Sequence, residues 1–148
     1  MDAISVKPIQ RSNILTIIPL LKKLNAQTPD DLLKERLLEM TEQNYECIGL
    51  FDHDKLIGIC GLWYSTRHYI GKSAEVDHVI IDDTYRNMGL GQIFFKWIYD
   101  YLKEKGCEGT ELNTFVSNRK SHKFYYNEGY EIFGFHMVKI LRDDEEFY

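Results

Sequence analysis

The sequence predicts one α+β domain, a mixed central sheet flanked by helices. Three observations carry this. Strand-like runs outnumber helical ones in the first half of the chain. A strand, helix, strand succession follows from Ala74 to residue 116. The 148 residues, 44% hydrophobic and 14% aromatic, suit a single core of ordinary size.

Taken in order, Val6–Ile9 is expected to form a short first strand. Ser12 or Asn13 can cap a helix running to Leu24, which Pro19 should kink. Thr28-Pro29-Asp30-Asp31 opens a second helix, with Leu32, Leu33, Leu37 and Met40 at helical spacing. Glu46–Phe51 and Leu56–Tyr64 are strands joined by the turn-forming Asp52-His53-Asp54-Lys55. Residues 66–73 are expected to be a loop, and Ala74–Ile81 the central strand. Leu90, Ile93, Phe94, Trp97, Ile98, Tyr101 and Leu102 form one apolar helical stripe, stopped by Gly106. A strand at 110–116, a helix from Asn118 to Glu128 and a last strand over Glu131–Leu141 complete the set. The acidic tail Arg142–Tyr148 is expected to fray.

Composition excludes several classes. The formal net charge is −5 and no basic stripe is present, which argues against a nucleic-acid partner. No apolar run reaches membrane length; residues 14–21 are too short. Cys47, Cys60 and Cys107 are scattered, without C-x-x-C spacing, so reduced thiols in the cytoplasm are expected and neither disulfides nor a metal site.

The chemistry concentrates in Arg86-Asn87-Met88-Gly89-Leu90-Gly91, between a β-branched run (Val79, Ile80, Ile81) and the apolar helix. A glycine-bearing turn there lets an anion approach the main chain, and the first amides of the helix point outward with the positive end of its dipole. Arg86 adds a fixed charge, so the segment is expected to hold a pyrophosphate. It is no P-loop, because Gly91 is followed by Gln92-Ile93, and no dinucleotide fingerprint, because Phe94 occupies the third glycine position.

Arg86-x-x-Gly89-x-Gly91 resembles the motif with which the GNAT superfamily of N-acetyltransferases binds the pyrophosphate of acetyl-CoA. Downstream, Asn118 and Ser121-His122-Lys123-Phe124-Tyr125-Tyr126-Asn127-Glu128-Gly129-Tyr130 are similar to that family's N-x-x-A-x-x-F-Y-x-x-x-G-F segment. Ser121 replaces the usual Ala, Tyr130 the usual Phe, and Asn87 a frequent Gly. The resemblance covers residues 45–141 and implies a single GNAT-like domain over 1–148 with a mostly antiparallel sheet.

It further implies a cytoplasmic acyltransferase that uses acetyl-CoA and releases coenzyme A. Arg86, Asn87, Met88, Gly89, Leu90 and Gly91 would hold the pyrophosphate. The backbone of Val79, Ile80 and Ile81 would pair with the pantetheine arm, with Asn118 and Ser121 on the opposite wall. Tyr125 would protonate the departing thiolate. Glu75 and Asp77 lie two apart on a strand and so share a face; either would take the amine's proton, while His78 is expected to face the other way and serve packing. Tyr64, Arg67 and Tyr69 are candidates for the acceptor, Arg67 by pairing with an anionic group. The stretch Glu111–Tyr130 is similar to bacterial acetylases of small aminoalkyl compounds, including aminoalkylphosphonates. A small-molecule amine is therefore the expected acceptor. A protein or peptide acceptor, a non-catalytic acyl-CoA sensor and a homodimer stay open.

Overall fold

Alternating apolar residues in the first half of the chain form consecutive antiparallel strands. The structure is a computed structural model that describes residues 3–148. Strands β1 (Ile4–Pro8), β2 (Tyr45–Asp52), β3 (Lys55–Arg67) and β4 (Gly71–Ile81) pair antiparallel with their neighbours. β5 (Gly109–Leu112) follows helix α3 (Leu90–Glu104), giving a mixed five-stranded sheet in the order β1-β2-β3-β4-β5. The chain divides into two compact units, one ending at Glu111 and one spanning Leu112–Tyr148.

The first unit has two sheet faces with different covers. Tyr45, Cys47 and Ile59 point to one face, where Ile14, Ile17, Leu21 and Leu37 bury against them. The covering elements are a 3-10 segment (Arg11–Ile17), α1 (Ile18–Leu21) and α2 (Asp30–Thr41). Glu46, Leu62 and Tyr64 alternate to the other face. There Tyr101 of α3 donates to Glu46 Oε1, Tyr64 donates to Oε2 at 3.2 Å, and Lys105 pairs with Oε2 at 3.3 Å. Leu90, Phe94, Phe95, Ile98 and Leu102 of α3 are buried, each worth about 2 kcal/mol by transfer. Phe95 thus joins the buried stripe, whereas Ile93 is exposed.

Four expectations about elements need correction. The first helix is a 3-10 run with only one α-helical turn after it; Pro19 lies in that first turn, where its missing N–H costs nothing. Residues 66–73 are not a loop: β3 and β4 continue to Arg67 and Gly71, which pair across a short turn, and Gly71 takes the φ of +77° that the return requires. β5 ends at Leu112 because nothing covers Phe115 or Val116. Residues 131–141 form no strand: Phe133, Phe135 and Met137 are exposed, and β propensity makes a strand only where a ladder partner exists.

The second unit holds α4 (Arg119–Asn127), capped by Asn118, whose side chain accepts from Ser121 N–H at 3.2 Å. Its tail closes local turns, with Asp144 accepting from Glu146 N–H and the Tyr148 hydroxyl. Among the described residues, no helix is long and apolar enough to cross a membrane, and no group of three His, Cys, Asp or Glu is placed to hold a metal.

Candidate active site

The loop between β4 and α3 has the shape an anion needs. A short 3-10 turn (Asp83–Tyr85) leaves β4, capped by Asp82, which accepts from Thr84 N–H at 3.0 Å. The Tyr85 hydroxyl donates to Asp52 at 2.7 Å and ties this turn to the end of β2. Asn87 and Gly89 then both adopt left-handed backbone, at φ +61° and +71°. Asn tolerates that region, which accounts for its place in a turn that otherwise favours glycine. No atom lies within 4 Å of where a Cβ on Gly89 would stand, so the space above it is open. The amides of Leu90, Gly91 and Gln92 precede the first intrahelical bond, from Ile93 N–H to Gly89 carbonyl at 3.4 Å. Arg86 pairs with Asp83 at 2.6 Å; both side chains are exposed, so an anion can compete for the guanidinium.

β4 carries the second part of the site and its largest departure from expectation. The β3–β4 register pairs Cys60 with Val79 and Gly61 with Asp77, leaving His78 as an extra residue in a β-bulge. Glu75, opposite Trp63, and Asp77, opposite Gly61, share the face that carries Tyr45, as their spacing predicts. His78 does not point away from them. The bulge turns its ring onto the same face, where Nε2 lies 2.6 Å from the Tyr45 hydroxyl. The imidazole fills the space beside Gly61, and a Cβ there would come within 2.8 Å of its Cδ2. Asp77 holds the bulge: Oδ1 accepts the His78 N–H at 2.8 Å and Oδ2 accepts the Trp63 indole N–H at 3.1 Å.

Burial pushes the His78 pKa below its ordinary 6.5 against the opposing pull of Asp77. The sign follows directly. Above about pH 6.5 the imidazole is neutral folded and unfolded, and stability is complete. As pH falls, the unfolded chain binds the proton first, so stability declines toward the folded pKa. Between about pH 7.5 and pH 5 the melting temperature should fall more steeply for the parent than for His78→Gln. Burial also raises the thiols, Cys47 to about 12 and Cys60 well above 9.0, which leaves both as protonated core groups.

The acceptor candidates separate. Tyr64 is on the α3 face, held by Glu46, opposite to Glu75 and Asp77. Arg67 and Tyr69 sit at the β3–β4 turn and share Glu111, through Nε at 3.0 Å and the hydroxyl at 3.1 Å. In the second unit, Tyr125 is half-buried on α4, its ring edge-on to Phe124 at 5.5 Å and Tyr130 at 5.7 Å. Tyr45, Trp63 and the orientation of His78 escaped sequence reasoning, since a bulge leaves no mark in alternation.

This fold, a sheet of this order with a glycine turn opening α3, is shared with known acetyltransferases. The model of the acetyltransferase (GNAT) family matches residues 17–130, and the chain belongs to that family. Aminoalkylphosphonate N-acetyltransferase of Salmonella typhimurium is 28% identical over 74 residues, 50% of this chain and 48% of that protein. The chain thus matches about half the length of this curated relative. AAC(6')-Iy, solved in complex with the bisubstrate analogue CoA-S-monomethyl-acetylneamine, superposes with a TM-score of 0.78 at 14% identity, covering 94% of this chain and 98% of that one. Ribosomal-protein-alanine N-acetyltransferase from Brucella melitensis gives 0.78 at 19% identity, covering 95% and 100%. At such identities the structures share the fold.

Proposed function

We propose that this chain is an acetyl-CoA-dependent N-acetyltransferase that acetylates the primary amine of a cytoplasmic small molecule by direct attack in a ternary complex. The observation that carries the reading is the Arg86–Gly91 turn, with two left-handed residues, open space over Gly89 and outward amides at the start of α3. In this reading those amides and Arg86 hold the pyrophosphate. The main chain of Val79, Ile80 and Ile81 orients the pantetheine arm, and Asn118 and Ser121 line it. The acceptor's nitrogen attacks the thioester carbonyl, a C–N bond forms and the C–S bond breaks. Tyr125 protonates the thiolate, which leaves as coenzyme A. Glu75 or Asp77 takes the ammonium proton, and Arg67 and Tyr69 contact the acceptor, whereas Tyr64 lies on the opposite face of the sheet. The aminoalkylphosphonate relative supports a small acceptor amine.

Thiol release from acetyl-CoA, screened against aminoalkylphosphonates, aminoglycosides, polyamines, amino acids and peptides, tests this. Turnover with one small-amine class is the expected result. Turnover with peptides alone would favour a protein acceptor. Saturable acetyl-CoA binding without turnover on any amine would favour a sensor.

A further inference from the structure

The bulge on β4 leaves one buried polar atom without a partner. His78 Nδ1 is enclosed and has no hydrogen-bond partner among the described residues, while Nε2 is engaged by the Tyr45 hydroxyl. An enclosed ring nitrogen of this kind points to a water or ligand that completes it. Its surroundings were built around it. Gly61 provides the space, Asp77 satisfies the bulge amide, and Tyr45 and Trp63 pack with ring centroids 5.0 Å apart. His78 also lies between Asp77 and Val79, at the start of the stretch proposed to orient the thioester.

We propose that His78, in place of Glu75 or Asp77, is the proton acceptor for the amine, through one water held at Nδ1. This deepens the proposed reaction and rests on it. In the assigned tautomer Nε2–H donates to the Tyr45 oxygen, 2.6 Å away, and Nδ1 carries the lone pair. The ammonium gives one proton to the water, the water gives one to Nδ1, and the neutral amine attacks. The resulting imidazolium returns its proton to bulk water after product leaves. Asp77 is less suited to this task, because each of its oxygens already accepts a hydrogen bond that maintains the bulge. Titratable groups on the face that carries the ring include Glu75 and Asp77 on β4 and Tyr45 and Cys47 on β2. The packed helix α1 contributes only Ile18, Pro19, Leu20 and Leu21.

The test pairs kinetics with a measurement that does not depend on turnover. In His78→Gln, kcat/KM for the amine should fall about 100-fold or more at neutral pH and recover as pH rises, with acetyl-CoA affinity unchanged. Tyr45→Phe should lower kcat/KM less than His78→Gln does and move the acidic limb of the profile. A His78→Gln protein with parental kcat/KM and the same acidic limb would overturn the proposal and leave His78 a bulge-packing residue. Nitrogen-detected NMR of His78 in the parent protein reads the tautomer directly. Protonated Nε2 with bare Nδ1 is expected, and protonated Nδ1 would overturn the proposal. Because that spectrum needs no acceptor, it separates failure of this assignment from failure of the acetyltransferase reading, which would appear as no turnover in the parent.

Discussion

A Tyr125→Phe protein should bind acetyl-CoA as tightly as the parent and turn it over about 100-fold more slowly. The substitution removes one hydroxyl and keeps the ring. The edge-on contacts of Tyr125 with Phe124 and Tyr130 involve the ring itself and are kept in the variant. The leaving thiolate is then the group that suffers. Without a donor it must depart as an anion, and general acid catalysis of that kind contributes roughly 100- to 10,000-fold. Steady-state kinetics with acetyl-CoA varied, beside a binding titration, separates kcat from affinity. A variant with parental kcat would remove Tyr125 from the mechanism.

Gly61→Ala should destabilise the first unit, although it adds only one methyl group. Glycine to alanine in a strand ordinarily stabilises slightly, because alanine restricts the unfolded chain. Here the sign should reverse. The new Cβ would stand 2.7 Å from His78 Cε1 and 2.8 Å from Cδ2. The ring cannot retreat easily, since Tyr45 holds its Nε2 at 2.6 Å. Either that hydrogen bond or the bulge gives way. Overpacking of this kind costs about 1–3 kcal/mol, a fall in melting temperature of roughly 3–10 °C. The same change should lower kcat/KM as His78→Gln does. A melting temperature at or above the parent's would show that the bulge does not depend on this contact.

The strands of the first unit and the loop were legible because both rest on local patterns. Alternation marked β2, β3 and β4, and the stripe from Leu90 to Leu102 marked α3 with its start at Gly89. The helix starting at Asn118 was readable, and the Asn118 side chain caps it, because capping is decided within one turn of helix. The failures share a different cause. The continuation of β3 and β4 through residues 65–73 depends on cross-strand pairing, not on the residues' own propensities. The segment 131–141 shows the converse, strong β propensity with no strand formed. His78 was misplaced by the same mechanism, since alternation assumes unbroken register and one extra residue moves a side chain to the other face. Arg67 looked free for an acceptor anion, but Glu111, 44 residues away in sequence, takes its Nε.

The central claim is that the Arg86–Gly91 turn is built for the pyrophosphate of acetyl-CoA. Isothermal titration of acetyl-CoA into the parent and into Arg86→Gln tests it most directly. Saturable one-to-one binding is expected for the parent, weakened about tenfold or more in the variant, as loss of a charge-assisted contact implies. No saturable binding to the parent, or equal affinity in both proteins, would contradict the account.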